Sequence, residues 1–154
     1  MKIKSYIILG LFLLVPVFLS AQTAAELELI LDSPAVLYSQ AAWFATASVG
    51  SDASTENEIP PEAAFQEAMA KGWLPKNAAA NEPITLGGLS LLMMKAFGIK
   101  GGLMYTIAPG PRYAFRSMVS RSLIPGAADP AMKVSGERFL IILGNVLNVA
   151  GGEE

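Results

Sequence analysis

The sequence predicts an all-α fold, a compact bundle of short helices, and three observations support it. Apolar residues recur at three- and four-residue spacing in successive segments, which is typical of amphipathic helices. Proline, glycine and polar residues separate these segments, and no stretch has the clear alternation of a strand. A helix–loop–helix pattern also occurs twice, 50 residues apart. With 154 residues, of which 53% are hydrophobic, the chain is expected to form one domain with a sizeable core.

The N-terminus has the pattern of a secretory signal peptide. Lys2 and Lys4 precede an apolar run from Tyr6 to Leu19, and small residues follow it. A membrane-spanning helix needs about 20 apolar residues, and this shorter run contains Pro16. We therefore expect cleavage after Ala21, an exported protein of the periplasm or cell envelope, and no stable membrane span afterwards. An uncleaved anchor is the alternative.

The mature chain is expected to form a single helical domain over residues 22–152, followed by the tail 153–154. Its first helix, Thr23 to Asp32, starts with capping-box spacing and ends before a Ser-Pro pair. A second helix runs from Leu37 to Ser48 and ends before a glycine. Residues 50–59 are polar and predict an exposed loop.

The later helices are placed by proline, hydroxyl and glycine residues at their ends. Two prolines open a third helix near residue 61, which Gly72 ends. A longer helix covers Thr85 to Phe97. A short segment from Leu103 to Ile107 leads to a Pro-Gly-Pro turn, after which a helix runs from Arg112 to Ser122. Serine caps the last helix, Gly136 to Val149.

The internal repeat joins these elements into two equivalent hairpins. Shifting the chain by 50 residues aligns Ala63–Phe97 with Tyr113–Leu147 without a gap. Each copy has a helix, an apolar connector, a polar loop, a cap hydroxyl (Thr85 or Ser135) and an apolar helix. The segment 36–49 is compatible with a degenerate third copy of the second helix, with leucine in place of the hydroxyl. Unrelated hairpins of similar length are the alternative.

Two segments of the repeat resemble the S-layer homology (SLH) family, namely GWLPKNAAANEPITLGGLSLLMMKAFG and SLIPGAADPAMKVSGERFLIILGNVL. The resemblance covers residues 63–147, about two thirds of the mature chain. It implies a helical bundle, often of three repeats about a pseudo-threefold axis, and anchoring of an exported protein to anionic cell-wall polysaccharide. The family's Thr-Arg-Ala-Glu motif is replaced here by Thr-Leu-Gly-Gly at residues 85–88 and by Ser-Gly-Glu-Arg at residues 135–138. The cap hydroxyl is kept, whereas the polymer-contacting arginine is not.

The composition excludes several kinds of active site. The chain contains no cysteine and no histidine, which rules out Cys/His zinc sites, thiol nucleophiles and Ser-His-Asp triads. We predict no catalytic residues, no metal and no cofactor. Glu56, Glu58 and Glu62 leave a carboxylate-based envelope hydrolase as an alternative. Their polar surroundings, without aromatic residues, favour solvated acids.

Charge is divided unevenly along the chain. Residues 22–70 contain eight acidic and no basic residues, whereas residues 71–152 contain nine basic and three acidic residues. One interpretation is that the two halves attract each other within the fold. The other is that a basic face meets an anionic partner. A net acidic exported chain argues against nucleic acid as that partner.

The candidate ligand-binding residues are cationic and aromatic. Arg112 and Arg116 lie one turn apart on one edge of a helix, and Arg121 lies toward the opposite edge. Tyr105 and Tyr113 flank the Pro-Gly-Pro turn. Because arginine suits carboxylates and an aromatic ring suits a sugar, we predict a non-catalytic module that binds an anionic envelope polysaccharide. The alternative is that the protein is a periplasmic adaptor, which binds another envelope protein in an apolar groove between its repeats.

Overall fold

The computed structural model of the protein describes residues 27–49, 59–126 and 128–151. In these ranges the chain is helical, and β-pairing is limited to two isolated bridges, so the prediction of an all-α bundle is confirmed. Residues 27–31 are also helical. The other helices are α1 (Tyr38–Val49), α2 (Pro61–Ala70), α3 (Leu86–Ala96), α4 (Leu103–Ile107), α5 (Pro111–Ser120) and α6 (Gly136–Ala150).

Three of the sequence predictions fall wholly or partly outside the described residues. The predicted signal peptide, residues 1–21, and most of the predicted exposed loop, residues 50–58, are not described. None of the helices in the described ranges has both the length and the apolar composition needed to cross a membrane. The first predicted helix is described only from residue 27 onward.

Three extended segments, which precede α1, α3 and α6, form a closed ring of backbone hydrogen bonds at the centre of the core. The amide of Val36 donates to the carbonyl of Val134 (2.8 Å), and the amide of Val134 donates to the carbonyl of Ile84 (3.2 Å). The amide of Ile84 closes the ring by donating to Val36 (2.8 Å). All three side chains are fully buried. The segment before α1 is therefore arranged like the corresponding segments of the two hairpins.

The same three helices begin against loops of neighbouring units. The first amides of α1, α3 and α6 donate to the carbonyls of Glu82, Met132 and Ser33, at 3.0, 2.8 and 2.9 Å. The first amides of a helix have no partner within the helix, and burying them unpaired costs free energy. These contacts use backbone atoms only, so the three units keep a common geometry although their side chains differ.

The two hairpins, α2–α3 and α5–α6, share their local features at an offset of 50 residues. Phe65 and Phe115 are both buried on the inner faces of α2 and α5. Past the ends of these helices, Gly72 and Ser122 have the positive φ angles +67° and +58°. This left-handed turn ends α5 at Ser120, two residues before the predicted end, and directs the apolar connector into the core.

Helix α3 is the central element of the bundle. It packs between α1 and α5, and ten of its eleven residues are buried. Gly88 allows the close approach of α1, because a side chain there would overlap the Tyr38 ring. The C-terminal end of α3 reaches the surface at Lys95, which is exposed. Residues 97–102 then connect α3 to α4. This surface carries the candidate functional residues.

Candidate functional site

The five predicted ligand-binding residues lie on α4, on α5 and at the residue after α5. Two hydrogen bonds hold the segment before α4 alongside α5. The Gly102 amide donates to the Ser117 hydroxyl (3.3 Å), and the Arg121 guanidinium donates to the Lys100 carbonyl (2.5 Å). Residues 100–102 therefore lie near the C-terminal end of α5. From there the chain passes through α4 and reaches the N-terminal end of α5 at Pro111, so α4 lies antiparallel to α5 on the outside of the bundle.

Arg112 and Arg116 are exposed on the outer edge of α5, four residues apart. At this spacing two side chains are neighbours on a helix surface. Neither guanidinium forms a hydrogen bond or an ion pair with another residue of the described ranges. The pair therefore presents two planar donor groups to solvent.

Tyr113 lies on a different edge of α5, and Arg121 is the residue that follows the helix. Tyr113 is half-buried against the hydrophobic core, and it shares an edge with Ser117, which bonds to Gly102. The Arg121 guanidinium donates to the Lys100 carbonyl, and this bond helps to fix the path of the chain before α4. The structure thus separates Arg112 and Arg116, which have no hydrogen-bond or ion-pair partner in the described ranges, from Tyr113 and Arg121, which contact the domain.

Tyr105 lies between α4 and the rest of the domain, and only 8% of its surface is exposed. Its ring covers Gly101, where any side chain would overlap it. Burial raises the pKa of the Tyr105 hydroxyl above its ordinary value, because desolvation disfavours the phenolate. The hydroxyl therefore stays protonated to a higher pH than that of an exposed tyrosine.

An open depression of about 560 Å³ lies beside Tyr105. Lys95 and Lys100 line it together with Thr106, and both lysines are exposed. These lysines are not among the site residues predicted from the sequence. The signal that identifies them is the charge distribution, since residues 83–128 contain five basic residues and no acidic residue.

The charges of the described residues leave this surface positive. Among the described residues, an ion pair joins Lys71 to Glu67 (2.6 Å) at the end of α2. This pair lies outside residues 83–128, which contain no acidic residue. The predicted pairing of the basic half with the acidic half is therefore absent for Arg112 and Arg116 within the described ranges. Asp52, Glu56 and Glu58 lie outside those ranges.

A second concave surface lies on another part of the domain. It is an apolar groove of about 370 Å³ between residues 27–31, α1 and the start of α2. Its position is beside the first unit rather than between the two aligned hairpins. Apolar side chains supply most of its lining, namely Leu29, Ile30, Trp43, Phe44, Ile59, Pro60 and Pro61.

Comparisons with known protein families, with characterised proteins and with solved structures return no match for this chain. Its chemistry must therefore be inferred from the exposed groups themselves. Two guanidinium groups on α5 and two ammonium groups beside α4 supply hydrogen-bond donors and positive charge. Such groups bind carboxylate or phosphate, and they bind best where several anionic groups are close together.

Proposed function

We propose that the protein is an exported, non-catalytic binding module of the cell envelope that contacts an anionic envelope polysaccharide through α5. The observation that carries this proposal is the exposed pair Arg112 and Arg116, which has no ion-pair partner among the described residues. A guanidinium group binds a carboxylate through two parallel hydrogen bonds. Two such groups one helical turn apart fit acidic groups repeated along a polymer.

Three features of the chain support an envelope role. The N-terminal pattern is that of a signal peptide, and the hairpins resemble the SLH family. The closed ring of Val36, Ile84 and Val134 supports that resemblance, because it relates three units cyclically. The family's own arginine position is lost here, so the polysaccharide contact is assigned to Arg112 and Arg116 instead.

Co-sedimentation with purified envelope polysaccharide tests this function. The exported protein should bind at low salt and dissociate as the salt concentration rises. The variant Arg112→Ala/Arg116→Ala should lose about tenfold or more in affinity, because charge-assisted hydrogen bonds are removed. The control variant Lys76→Ala/Lys133→Ala removes the same charge from exposed positions elsewhere and should bind like the parent protein.

Two outcomes would contradict the proposed site. Binding that ignores the loss of Arg112 and Arg116 removes these residues from the interface. An equal loss in the control variant shows that only total charge matters.

The apolar groove favours a second candidate, a periplasmic adaptor that binds an envelope protein. Its exposed lining residue Leu29 is 73% accessible, and Ile59 is 44% accessible. An envelope protein that co-purifies with the parent chain, and is lost from the variant Leu29→Ser/Ile59→Ser, would support the adaptor. Retention of that protein by this variant would rule out the groove as its binding site.

A further inference from the structure

Helix α4 exposes an unusual amount of apolar surface for its length. It has five residues, and three of them are large apolar side chains turned to solvent: Leu103 (76% exposed), Met104 (52%) and Ile107 (69%). We refer to these three residues as the apolar tip. Tyr105 is the buried residue of α4 and holds the helix against the domain. The apolar tip therefore projects from the surface on a short, anchored helix.

Lysines lie beside the helix that carries the apolar tip. Lys95 and Lys100 line the depression next to α4, and Arg112 lies in the first turn of α5, five residues after Ile107. The stretch of residues 83–128 that contains all of these elements has no acidic residue. A partner of this surface must accept apolar side chains and carry negative charge in the same place.

Three kinds of partner differ in how they would use these features. A hydrated polysaccharide gains from the basic residues but nothing from three exposed apolar side chains. A specific protein interface buries about 800 Å² on each partner, far more than three side chains provide. An anionic bilayer surface accepts both, because apolar side chains enter below the headgroups while lysine and arginine pair with lipid phosphates.

We propose that the apolar tip, together with Lys95 and Lys100, binds the surface of an anionic phospholipid bilayer. The three apolar side chains enter the boundary between headgroups and acyl chains. The depression of about 560 Å³ receives a headgroup phosphate between the two lysines. Tyr105 lines the same depression, and its neutral hydroxyl is a hydrogen-bond donor for the phosphate.

This inference goes beyond the polysaccharide contact and does not depend on it. The polysaccharide contact rests on Arg112 and Arg116, whereas the lipid contact rests on α4 and on two lysines of other segments. The two surfaces are adjacent, so a protein held to both would lie between a bilayer and the polymer next to it. Substitutions on each surface can be made separately because all the residues concerned, except Tyr105, are exposed.

Sedimentation with lipid vesicles tests the inference. The probe is the exported protein with equimolar phosphatidylcholine and phosphatidylglycerol, compared with phosphatidylcholine alone. The parent protein should bind the mixed vesicles and not the neutral ones. The variant Leu103→Ser/Met104→Ser/Ile107→Ser should lose about tenfold or more in partitioning. The variant Lys95→Gln/Lys100→Gln should lose about 30-fold, since each basic residue near an anionic surface contributes about fivefold.

Matched controls separate this effect from general changes in hydrophobicity and folding. The variant Met132→Ser/Ile141→Ser/Leu147→Ser removes three exposed apolar side chains from other surfaces and should bind vesicles like the parent. Circular dichroism should show the same thermal transition for the α4 variant and the parent. The α4 variant should also keep its affinity for envelope polysaccharide, so failure of one proposal is distinguishable from failure of the other.

Several results would overturn the lipid proposal. Absence of binding to the anionic vesicles, or equal binding to neutral ones, would do so directly. Undiminished vesicle binding by the α4 variant would show adsorption through charge alone. Capture of an envelope protein that the α4 variant loses, without any vesicle binding by the parent, would identify α4 as a protein-binding surface.

Discussion

The hairpins α2–α3 and α5–α6 have the same backbone plan, but their first helices, α2 and α5, carry opposite charge. At the offset of 50 residues, Glu62 in the first turn of α2 corresponds to Arg112 in the first turn of α5. In α2, Glu67 is paired with Lys71. In α5, Arg112 and Arg116 have no such partner within the described ranges. The same backbone plan therefore carries different charges at the exposed positions of its first helix.

The second helices of the hairpins differ in burial rather than in charge. Ten of eleven residues of α3 are buried, whereas five of fifteen residues of α6 are buried. The cause is position, since α3 lies between α1 and α5 while α6 exposes one side to solvent. Equivalent positions of α3 and α6 therefore pack against different surroundings. Substitutions at matched positions should show which stability effects the two hairpins share and which depend on local packing.

The largest expected difference between the copies is at the first residue of the second helix. This residue is Leu86 in α3 and Gly136 in α6. A side chain at Gly136 would overlap the carbonyl oxygen of Ile30, because the segment 27–31 crosses the start of α6. Gly136→Ala should lower the free energy of unfolding by about 3 kcal/mol or more, since rigid backbone must move. Urea unfolding followed by circular dichroism measures this change.

Gly144, in the interior of α6, supplies the control for Gly136. Nothing lies within 4 Å of a side-chain carbon placed there, so Gly144→Ala should raise the free energy of unfolding by about 0.5–1 kcal/mol through helix propensity. Equal stability of the two alanine variants would mean that the segment 27–31 does not pack on α6.

The helices and their pairing could be predicted from the sequence because side chains carry those signals. Apolar spacing and the cap residues Thr85 and Ser135 locate α3 and α6, and the repeat relates them. The central ring could not be predicted, because its hydrogen bonds join backbone groups of segments far apart in the chain. In the first unit, which lacks a cap hydroxyl, the Gln40 side chain accepts from the Leu37 amide (2.9 Å) instead. This contact is the reverse half of a capping box.

The candidate site was predictable to a similar extent. Helical spacing alone places Arg112 and Arg116 on one exposed edge. The use of Arg121 to hold the Lys100 carbonyl depends on the path of the chain between α3 and α4. That path also brings Lys95 and Lys100 beside Tyr105. Because glycines at positions 98, 101 and 102 leave the path open to many conformations, spacing in the sequence does not determine it.

The cap hydroxyls test whether the two copies use the same start signal. The Thr85 hydroxyl accepts from the Gly88 amide at 3.1 Å, and the Ser135 hydroxyl accepts from the Arg138 amide at 3.4 Å. Thr85→Ala and Ser135→Ala should each lower the free energy of unfolding by about 1 kcal/mol, with the larger loss for the shorter bond. Thr85→Ser keeps the acceptor and should retain most of the stability. A Thr85→Ala variant as stable as the parent would show that the ring alone positions α3.

The smallest expected difference concerns the left-handed turn after α2 and α5. Gly72 adopts it with φ of +67° at no steric cost, whereas Ser122 adopts it with φ of +58° against a side-chain clash. Ser122→Gly should therefore raise the free energy of unfolding by about 0.5 kcal/mol. The substitution relieves the backbone strain, but glycine gives the unfolded chain more entropy and so offsets part of the gain. The reverse change, Gly72→Ser, should lower the free energy of unfolding by about 1 kcal/mol, because nothing within 4 Å could offset the strain.

The control Ser120→Gly lies in the right-handed last turn of α5 and should lower stability instead. Stabilisation at residue 122 together with destabilisation at residue 120 would locate the effect in the backbone angle, and loss of stability at both would assign Ser122 a contact that compensates its strain.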